Sequence, residues 1–240
     1  MRSILSLKSI SFVYSGSQRV IFQDADFELY DGDKVGLVGP NGCGKTTFLH
    51  ICIGILKPTK GNILFYNRLI NSDKDLFELR KHVGFVFQNP DDQLFSPTVL
   101  EDVAFGPLNL GLDRHKAERK ARNALELVGL KGFEDRITHK LSGGEKRLVS
   151  LATVLAMEPK ALLLDEPSTG LDPETRNRII DLLNKLDISL LIVSHDWDFI
   201  VRTTSIYYTI ENYKIIKIDK SILHQHMHYH PAGNIPHEHL

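Results

Sequence analysis

The chain has 240 residues, of which 42% are hydrophobic and 25% are charged, and its 29 Lys and Arg residues nearly balance its 30 Asp and Glu residues. This composition is that of a globular protein with a sizeable core, which excludes disorder over most of the chain, and the near-neutral charge gives no support for a nucleic-acid partner. Two cysteines, Cys43 and Cys52, are too few for a disulfide-stapled fold or a four-cysteine zinc site.

Short strands alternate with turns in the first third of the chain. Apolar runs bounded by Gly, Pro, Asn, Asp and Ser predict strands over residues 4–7, 11–14, 20–30, 35–38, 63–66 and 83–87. Between the fourth and the fifth of these strands, residues 46–56 are predicted as a helix that ends before Pro58.

The middle of the chain has a different pattern, which is mostly helical over 99–157. Within it, a helix is predicted over 113–128, with charged residues on one side. The small and apolar residues of its other face recur at helical spacing and are Ala117, Ala121, Ala124, Leu125 and Val128. This face is expected to pack against the core.

Strands and helices alternate again in the last third. A buried strand over 161–164, a helix over 173–186 and a second buried strand over 190–193 are typical of parallel βαβ units. The order of elements predicts an α/β fold: a parallel-sheet core, an N-terminal antiparallel β-subdomain, and an α-helical subdomain inserted at about 89–160.

A phosphate-binding loop pattern follows the predicted strand 35–38 and opens the predicted helix, which is the context that this motif requires. It is formed by Gly39, Pro40, Asn41, Gly42, Cys43, Gly44, Lys45 and Thr46. Glycines let successive backbone N–H groups surround phosphate oxygens, and the helix N-terminus adds positive potential. We expect Lys45 to reach the β- and γ-phosphates of a nucleotide, Thr46 to bind Mg²⁺, and Thr47 to contact the α-phosphate. The core is thus predicted to be that of a P-loop NTPase.

Two adjacent carboxylates, Asp165 and Glu166, end the predicted strand 161–164. Carboxylates at the C-terminal edge of a parallel sheet lie where open α/β sheets bind their ligands. We expect Asp165 to hold Mg²⁺ directly or through water. Glu166 is expected to orient or deprotonate an attacking water.

A third motif stands at the start of a predicted helix and is formed by Leu141, Ser142, Gly143, Gly144, Glu145, Lys146 and Arg147. Ser142 is a good N-cap residue, and the glycines expose backbone donors near the positive end of the helix. Such a site suits an anion.

Together these motifs resemble the ATP-binding cassette ATPases, whose signature is Leu-Ser-Gly-Gly. The resemblance covers about residues 1–218, and the domain that it implies is assigned to residues 1–220. It implies that Tyr14 stacks on adenine, that Gln88 is a Mg²⁺ ligand in the loop that links the nucleotide site to a membrane partner, and that residues 168–172, ending in Asp172, cross a dimer interface. It also implies that His195 senses the γ-phosphate. The catalytic residues implied are Lys45, Gln88, Glu166 and His195.

The resemblance further implies a head-to-tail dimer that binds ATP and Mg²⁺. ATP would lie between the Lys45 loop of one subunit and the 142–145 segment of the other, bound by Ser142, Gly143, Gly144 and Glu145. Because both halves of the site are present in this chain, a homodimer is viable, and a heterodimer with a related ATPase subunit stays open.

Residues 87–95 and 101–107 look like the ATPase subunit of energy-coupling-factor importers, which take up vitamins and transition metals. In that group Asp91, Asp92 and Gln93 would lie on the surface that docks helices of a transmembrane coupling subunit. The expected partners are therefore integral membrane coupling and substrate-binding subunits, and the expected location is the cytoplasmic face of the cell membrane. The competing hypothesis is a soluble cassette ATPase that acts as an assembly or repair factor.

A His-rich segment, 221–240, ends the chain, and four of its histidines alternate: His224, His226, His228 and His230. Neutral imidazole suits Ni²⁺, Co²⁺, Cu²⁺ and Zn²⁺, so a metal sensor or buffer in a cobalt or nickel importer is one interpretation. A solvated tail and a purification tag are the others, and a storage protein built on the tail would leave the nucleotide motifs unexplained.

Overall fold

A computed structural model of the chain describes residues 2–219. The predicted tail metal ligands, His224, His226, His228 and His230, lie outside the described residues. The strands are β1 (Ser3–Val13), β2 (Val20–Tyr30), β3 (Lys34–Val38), β4 (Lys60–Phe65), β5 (Arg68–Leu69), β6 (Val83–Val86), β7 (Ala161–Asp165), β8 (Ser189–Val193), β9 (Ile206–Glu211) and β10 (Lys214–Ile218). The helices are α1 (Lys45–Cys52), α2 (Asp73–His82), α3 (Val99–Asn109), α4 (Arg114–Leu127), α5 (Gly143–Leu155), α6 (Pro173–Lys185) and α7 (Trp197–Thr203).

The strands form two sheets. One has the order β2-β1-β4-β5 and is antiparallel throughout. The other has the order β10-β9-β3-β8-β7-β6 and is parallel except where β10 pairs with β9. The predicted α/β fold with an N-terminal antiparallel part is confirmed.

The parallel strands β7 and β8 are buried at every position. Their continuous apolar runs suit strands that are covered on both faces. Because β3, β7 and β8 are parallel neighbours, their carboxyl ends meet at one edge, where Asp165 pairs with Val193 and Leu37 also pairs with Val193. The residues that follow these strands are thereby brought together.

Helices α3, α4 and α5 occupy the chain between the neighbouring strands β6 and β7, within the stretch where an inserted helical subdomain is predicted. The small residues Ala117, Ala121 and Ala124 of α4 are buried, as their spacing predicts. Each helix starts at a side-chain cap, which is Thr98 for α3, Asp113 for α4 and Ser142 for α5. These caps satisfy backbone N–H groups that have no partner within the helix.

Three predicted elements differ from the structure. The predicted strands 4–7 and 11–14 are one strand, β1, because Ser9 takes a left-handed φ of 50° and the pairing with β2 shifts register between Leu7 and Ile10 without ending. The predicted helix 46–56 ends at Cys52, because Gly54 takes a φ of 67° and accommodates a left-handed helix end.

Among residues 2–219, no helix combines the length and the apolar character that crossing a bilayer requires.

Candidate active site

A cavity of about 520 Å³ lies at the carboxyl edge of the parallel strands. Ten of the predicted site residues line it: Tyr14, Asn41, Gly42, Gly44, Lys45, Thr46, Thr47, Gln88, Glu166 and His195. The predicted phosphate loop, adenine platform and hydrolytic residues therefore converge on one space.

The phosphate loop is shaped by its glycines. Gly39, Gly42 and Gly44 have φ values of 145°, 75° and 113°, which side chains rarely permit. At Gly44 a Cβ atom would also lie 2.7 Å from Cγ2 of Ile21. The loop leads directly into α1. The N–H groups of the first turn of a helix have no partner within the helix, so those of α1 are available to bind phosphate.

Lys45 is the loop's cation, and its side chain is held by the loop itself. Its Nζ donates to the carbonyl oxygens of Gly39 at 2.8 Å and Pro40 at 3.0 Å. The ammonium group therefore already sits among the backbone groups that would surround phosphates, and it lies in a buried position.

Tyr14 is the aromatic residue among the predicted site residues that line the cavity. Tyr14 is 43% exposed, its ring packs edge-on against Phe12 at 4.9 Å, and its hydroxyl lies 2.7 Å from Oγ1 of Thr47. Two contacts thus fix the ring and leave much of it open for an adenine base to stack on.

Asp165 is 2% exposed, and its Oδ1 has no hydrogen-bond partner among the described residues. Burial raises the pKa of this carboxyl, while a hydrogen bond from Thr46 lowers it. A buried, unpaired carboxylate oxygen beside a hydroxyl fits a hard divalent cation such as Mg²⁺. Residues 2–219 contain no group of three or more His, Cys, Asp or Glu side chains that could hold a metal ion.

Glu166 and His195 form a hydrogen-bonded pair. Oε2 of Glu166 accepts from the backbone N–H of His195 at 3.2 Å and lies 2.8 Å from its Nδ1, which donates when it carries the proton. Glu166 has a left-handed φ of 47°, an uncommon backbone state for a residue with a Cβ. The Glu166 side chain is 9% exposed and that of His195 is 62% exposed, so the glutamate faces inward and the histidine reaches solvent.

The signature segment, residues 142–145, lies outside the cavity wall. Ser142 and Glu145 form a reciprocal capping box at the start of α5, with the Ser142 N–H donating to Oε2 of Glu145 at 2.8 Å. A Cβ on Gly143 would meet no atom within 4 Å, whereas one on Gly144 would lie 3.1 Å from Oγ1 of Thr175 and 3.6 Å from Oδ2 of Asp172.

The predicted binding residues therefore fall into two groups in this chain. One surrounds the cavity. The signature segment and Asp172, the N-cap of α6, form the second group. Pro40 contributes a carbonyl to Lys45, and Cys43 lines a separate surface cavity with Tyr213.

Sequence reasoning missed Arg19, which also lines the cavity. Its Nη2 donates to the carbonyl oxygen of Gly42 at 2.7 Å, and its own N–H donates to Oγ of Ser17 at 3.0 Å. The only sequence signal is a cation in the turn after Tyr14. No motif marks it, because its contact with the phosphate loop spans 23 residues of chain.

The convergence of a phosphate loop and buried carboxylates at one edge of a parallel sheet defines a P-loop nucleotide hydrolase. Residues 22–169 match the ABC transporter family, and the chain belongs to that family. A curated relative, the energy-coupling factor transporter ATP-binding protein EcfA of Methanocaldococcus jannaschii, is 46% identical over 219 residues, which is 89% of this chain and 78% of the relative.

Two solved structures are also similar. CbiO1 from Clostridium perfringens, part of the ABC transporter complex cbiONQ, is 37% identical with a TM-score of 0.80, over 90% of this chain and 88% of that one. A dimeric ATP-binding cassette in a post-hydrolysis state with ADP and Pi is 26% identical with a TM-score of 0.80, over 89% and 98%. The chain is accordingly an ATPase that uses ATP and Mg²⁺.

Proposed function

We propose that this chain is the ATP-hydrolysing subunit of a membrane importer of the energy-coupling-factor type. The observation that carries the proposal is the 46% identity to an EcfA subunit over 89% of the chain. We assign residues 1–220 to the nucleotide-binding domain, with its helical subdomain at about 89–160, and residues 221–240 to a tail.

Hydrolysis follows from the placement of the cavity residues. Lys45 would exchange its two carbonyl acceptors for the β- and γ-phosphates, because a charge-assisted bond to phosphate is the stronger one. Glu166 would accept the proton of the attacking water, and His195, bonded to the same carboxylate, would report the γ-phosphate. Thr46, Gln88 and Asp165 would hold Mg²⁺, which neutralises phosphate charge when bound.

The second group of residues points to a dimer. Ser142, Gly144 and Asp172 lie outside the cavity of their own chain, so they would complete the site of a second subunit in a head-to-tail pair. The dimeric form of the similar cassette supports this arrangement. Homodimers and heterodimers with a related ATPase subunit both satisfy it.

A groove of about 340 Å³ would receive the membrane partner. Phe95, which is 66% exposed, packs edge-on against the exposed Phe105 at 4.8 Å, and Phe77 lines the same groove. Exposed aromatic clusters of this kind are typical of protein interfaces. We infer that helices of an integral coupling subunit dock here and hold the chain at the cytoplasmic face of the membrane.

The neighbouring residues differ in how they can take part in docking. Asp91 and Asp92 are exposed, as predicted for this surface. Gln93 also lines the groove, and its amide is held there because it donates to the carbonyl oxygen of Ser150 and to Oγ1 of Thr153, both at 2.8 Å.

The cargo that we propose is a transition metal ion, cobalt or nickel, with a vitamin as the alternative. The similarity to cbiO1 and the four alternating tail histidines support a metal. Uptake of radioactive cobalt and nickel, in cells that express this chain with its membrane subunits, tests the choice. Uptake of a labelled vitamin without uptake of metal would reverse it.

The importer proposal is tested by capture from detergent-solubilised membranes of the native cell, with the wild type and two variants as bait. Phe95→Glu should lose an integral membrane partner that the wild type captures. Leu127→Glu, which changes an exposed leucine on α4, is the matched control and should keep it. Capture of soluble proteins alone by the wild type would favour the assembly or repair factor.

A further inference from the structure

The first turns of α5 are tied to the loop that follows β6. Arg147, the fifth residue of α5, is 2% exposed and lies two residues beyond the signature segment. Its Nη1 donates to the carbonyl oxygen of Phe87 at 2.6 Å, and its Nη2 donates to the carbonyl oxygen of Gln88. One guanidinium group thus binds the carbonyl oxygens of the first two residues after β6.

Two further side chains tie the same loop to α5. Gln93 accepts from the N–H of Phe87 at 3.1 Å and donates to the backbone of Ser150. Lys146 forms an ion pair with Asp91 at 2.6 Å. Residues 87–93 are therefore attached to α5 at both ends and at an intermediate point.

Burying the charged guanidinium group of Arg147 costs free energy unless acceptors compensate for the lost water. Burial lowers the pKa of the guanidinium, Asp165 raises it through its charge, and Nε has no partner among the described residues. A buried cation needs compensating acceptors, and the two loop carbonyls supply them.

We propose that Arg147 is a positioning residue that sets Gln88 in the active-site cavity by holding its backbone at a fixed distance from the signature segment. Arginine suits this task, because two nitrogens of its rigid planar fork donate in fixed directions, whereas the lysine ammonium is a single point charge on a flexible stem. Gln88 lines the cavity, so the position of this residue depends on the backbone that Arg147 holds.

In the proposed head-to-tail dimer, on which this step rests, Arg147 lies between parts of two different ATP sites. The signature segment would complete the partner's site, whereas Gln88 belongs to the chain's own site. Arg147 would then link the two ATP sites through one side chain.

The test is a double-mutant cycle on ATP turnover by the purified full chain, with Arg147→Lys, Gln88→Ala and the double variant. Arg147→Lys should lower kcat about tenfold to 100-fold, with little change in KM, because misplacing one group near the reacting atoms costs that much. Since Arg147 acts through Gln88, Arg147→Lys should add little to the loss caused by Gln88→Ala. Arg119→Lys, on the exposed side of α4, is the matched control.

Two results would overturn the proposal: wild-type kcat in Arg147→Lys, or losses that multiply in the double variant. Amide hydrogen exchange of the wild type gives a readout that needs no variant. The amides of residues 87–93 should open together with those of the first turns of α5, and rates that differ by orders of magnitude would contradict the tie. Both measurements use the chain without its membrane partner, so failure of the importer proposal leaves them valid.

Discussion

At the scale of single residues, the site is held ready by contacts that the nucleotide would replace. Lys45 bonds to loop carbonyls, and the hydroxyls of Tyr14 and Thr47 bond to each other. A group that is already ordered loses less entropy when it binds its ligand. These contacts keep the cavity residues in place before ATP arrives.

Two substitutions of Tyr14 separate its ring from its hydroxyl. Tyr14→Ala removes the stacking platform and should weaken ATP binding by about 1–3 kcal/mol. Tyr14→Phe keeps the ring and frees the Thr47 hydroxyl, so ATP affinity should stay near that of the wild type. Calorimetric titration with ATP measures both, and equal affinity of Tyr14→Ala and wild type would remove Tyr14 from the adenine site.

At the scale of elements, an ion pair connects helix α6 to the N-terminus of helix α7, next to the cavity residue His195. Arg176 of α6 makes a two-pronged ion pair with Asp196, the N-cap of α7, at 2.7 and 2.8 Å. Asp196 directly follows His195, and Asp172 is the N-cap of α6. One ion pair therefore connects the proposed dimer-interface loop to the residue beside the proposed γ-phosphate sensor.

This ion pair predicts a pH-dependent stability. Burial raises the pKa of Asp196, but hydrogen bonds from Arg176 and from the Phe199 N–H outweigh it, so the pKa is lowered in the folded state. The stabilisation is present above the unfolded pKa of about 3.9 and is lost as pH falls through the lower folded value.

Asp196→Asn should therefore reduce the free energy of unfolding by about 1–3 kcal/mol at neutral pH, and the difference from wild type should shrink toward about pH 3. Urea unfolding at both pH values measures it. Asp181→Asn, an exposed position on α6, is the control and should show little difference at either pH. A deficit in Asp196→Asn that is constant with pH would contradict the ion-pair account.

The individual elements also show how much of the structure can be predicted from patterns in the sequence. The phosphate loop, the strand that ends in Asp165 and the cap at Ser142 were predictable, because each is a contiguous run whose chemistry is local. Helix α2 was not predicted, since only Leu79 in it is buried and no apolar stripe marks it. The bonds of Arg147 to Phe87 and Gln88 span 60 and 59 residues, and no local pattern reports them.

At the scale of the whole molecule, the predicted binding residues of one chain lie in two groups. The cavity contains Lys45, Glu166 and His195, whereas Ser142 and Gly144 lie elsewhere on the surface of the same chain. A second copy would bring the two halves together around ATP. Loss of the γ-phosphate would then weaken the contact between subunits and open the dimer.

The most direct test of this account is the mass in solution of the Glu166→Gln protein by light scattering, with ATP and Mg²⁺ and again with ADP and Mg²⁺. The substitution removes the proposed proton acceptor and keeps the shape of the side chain, so bound ATP should persist. The account predicts a mass twice that of the single chain with ATP and the mass of a single chain with ADP. A protein that stays monomeric while saturated with ATP and Mg²⁺ would contradict it.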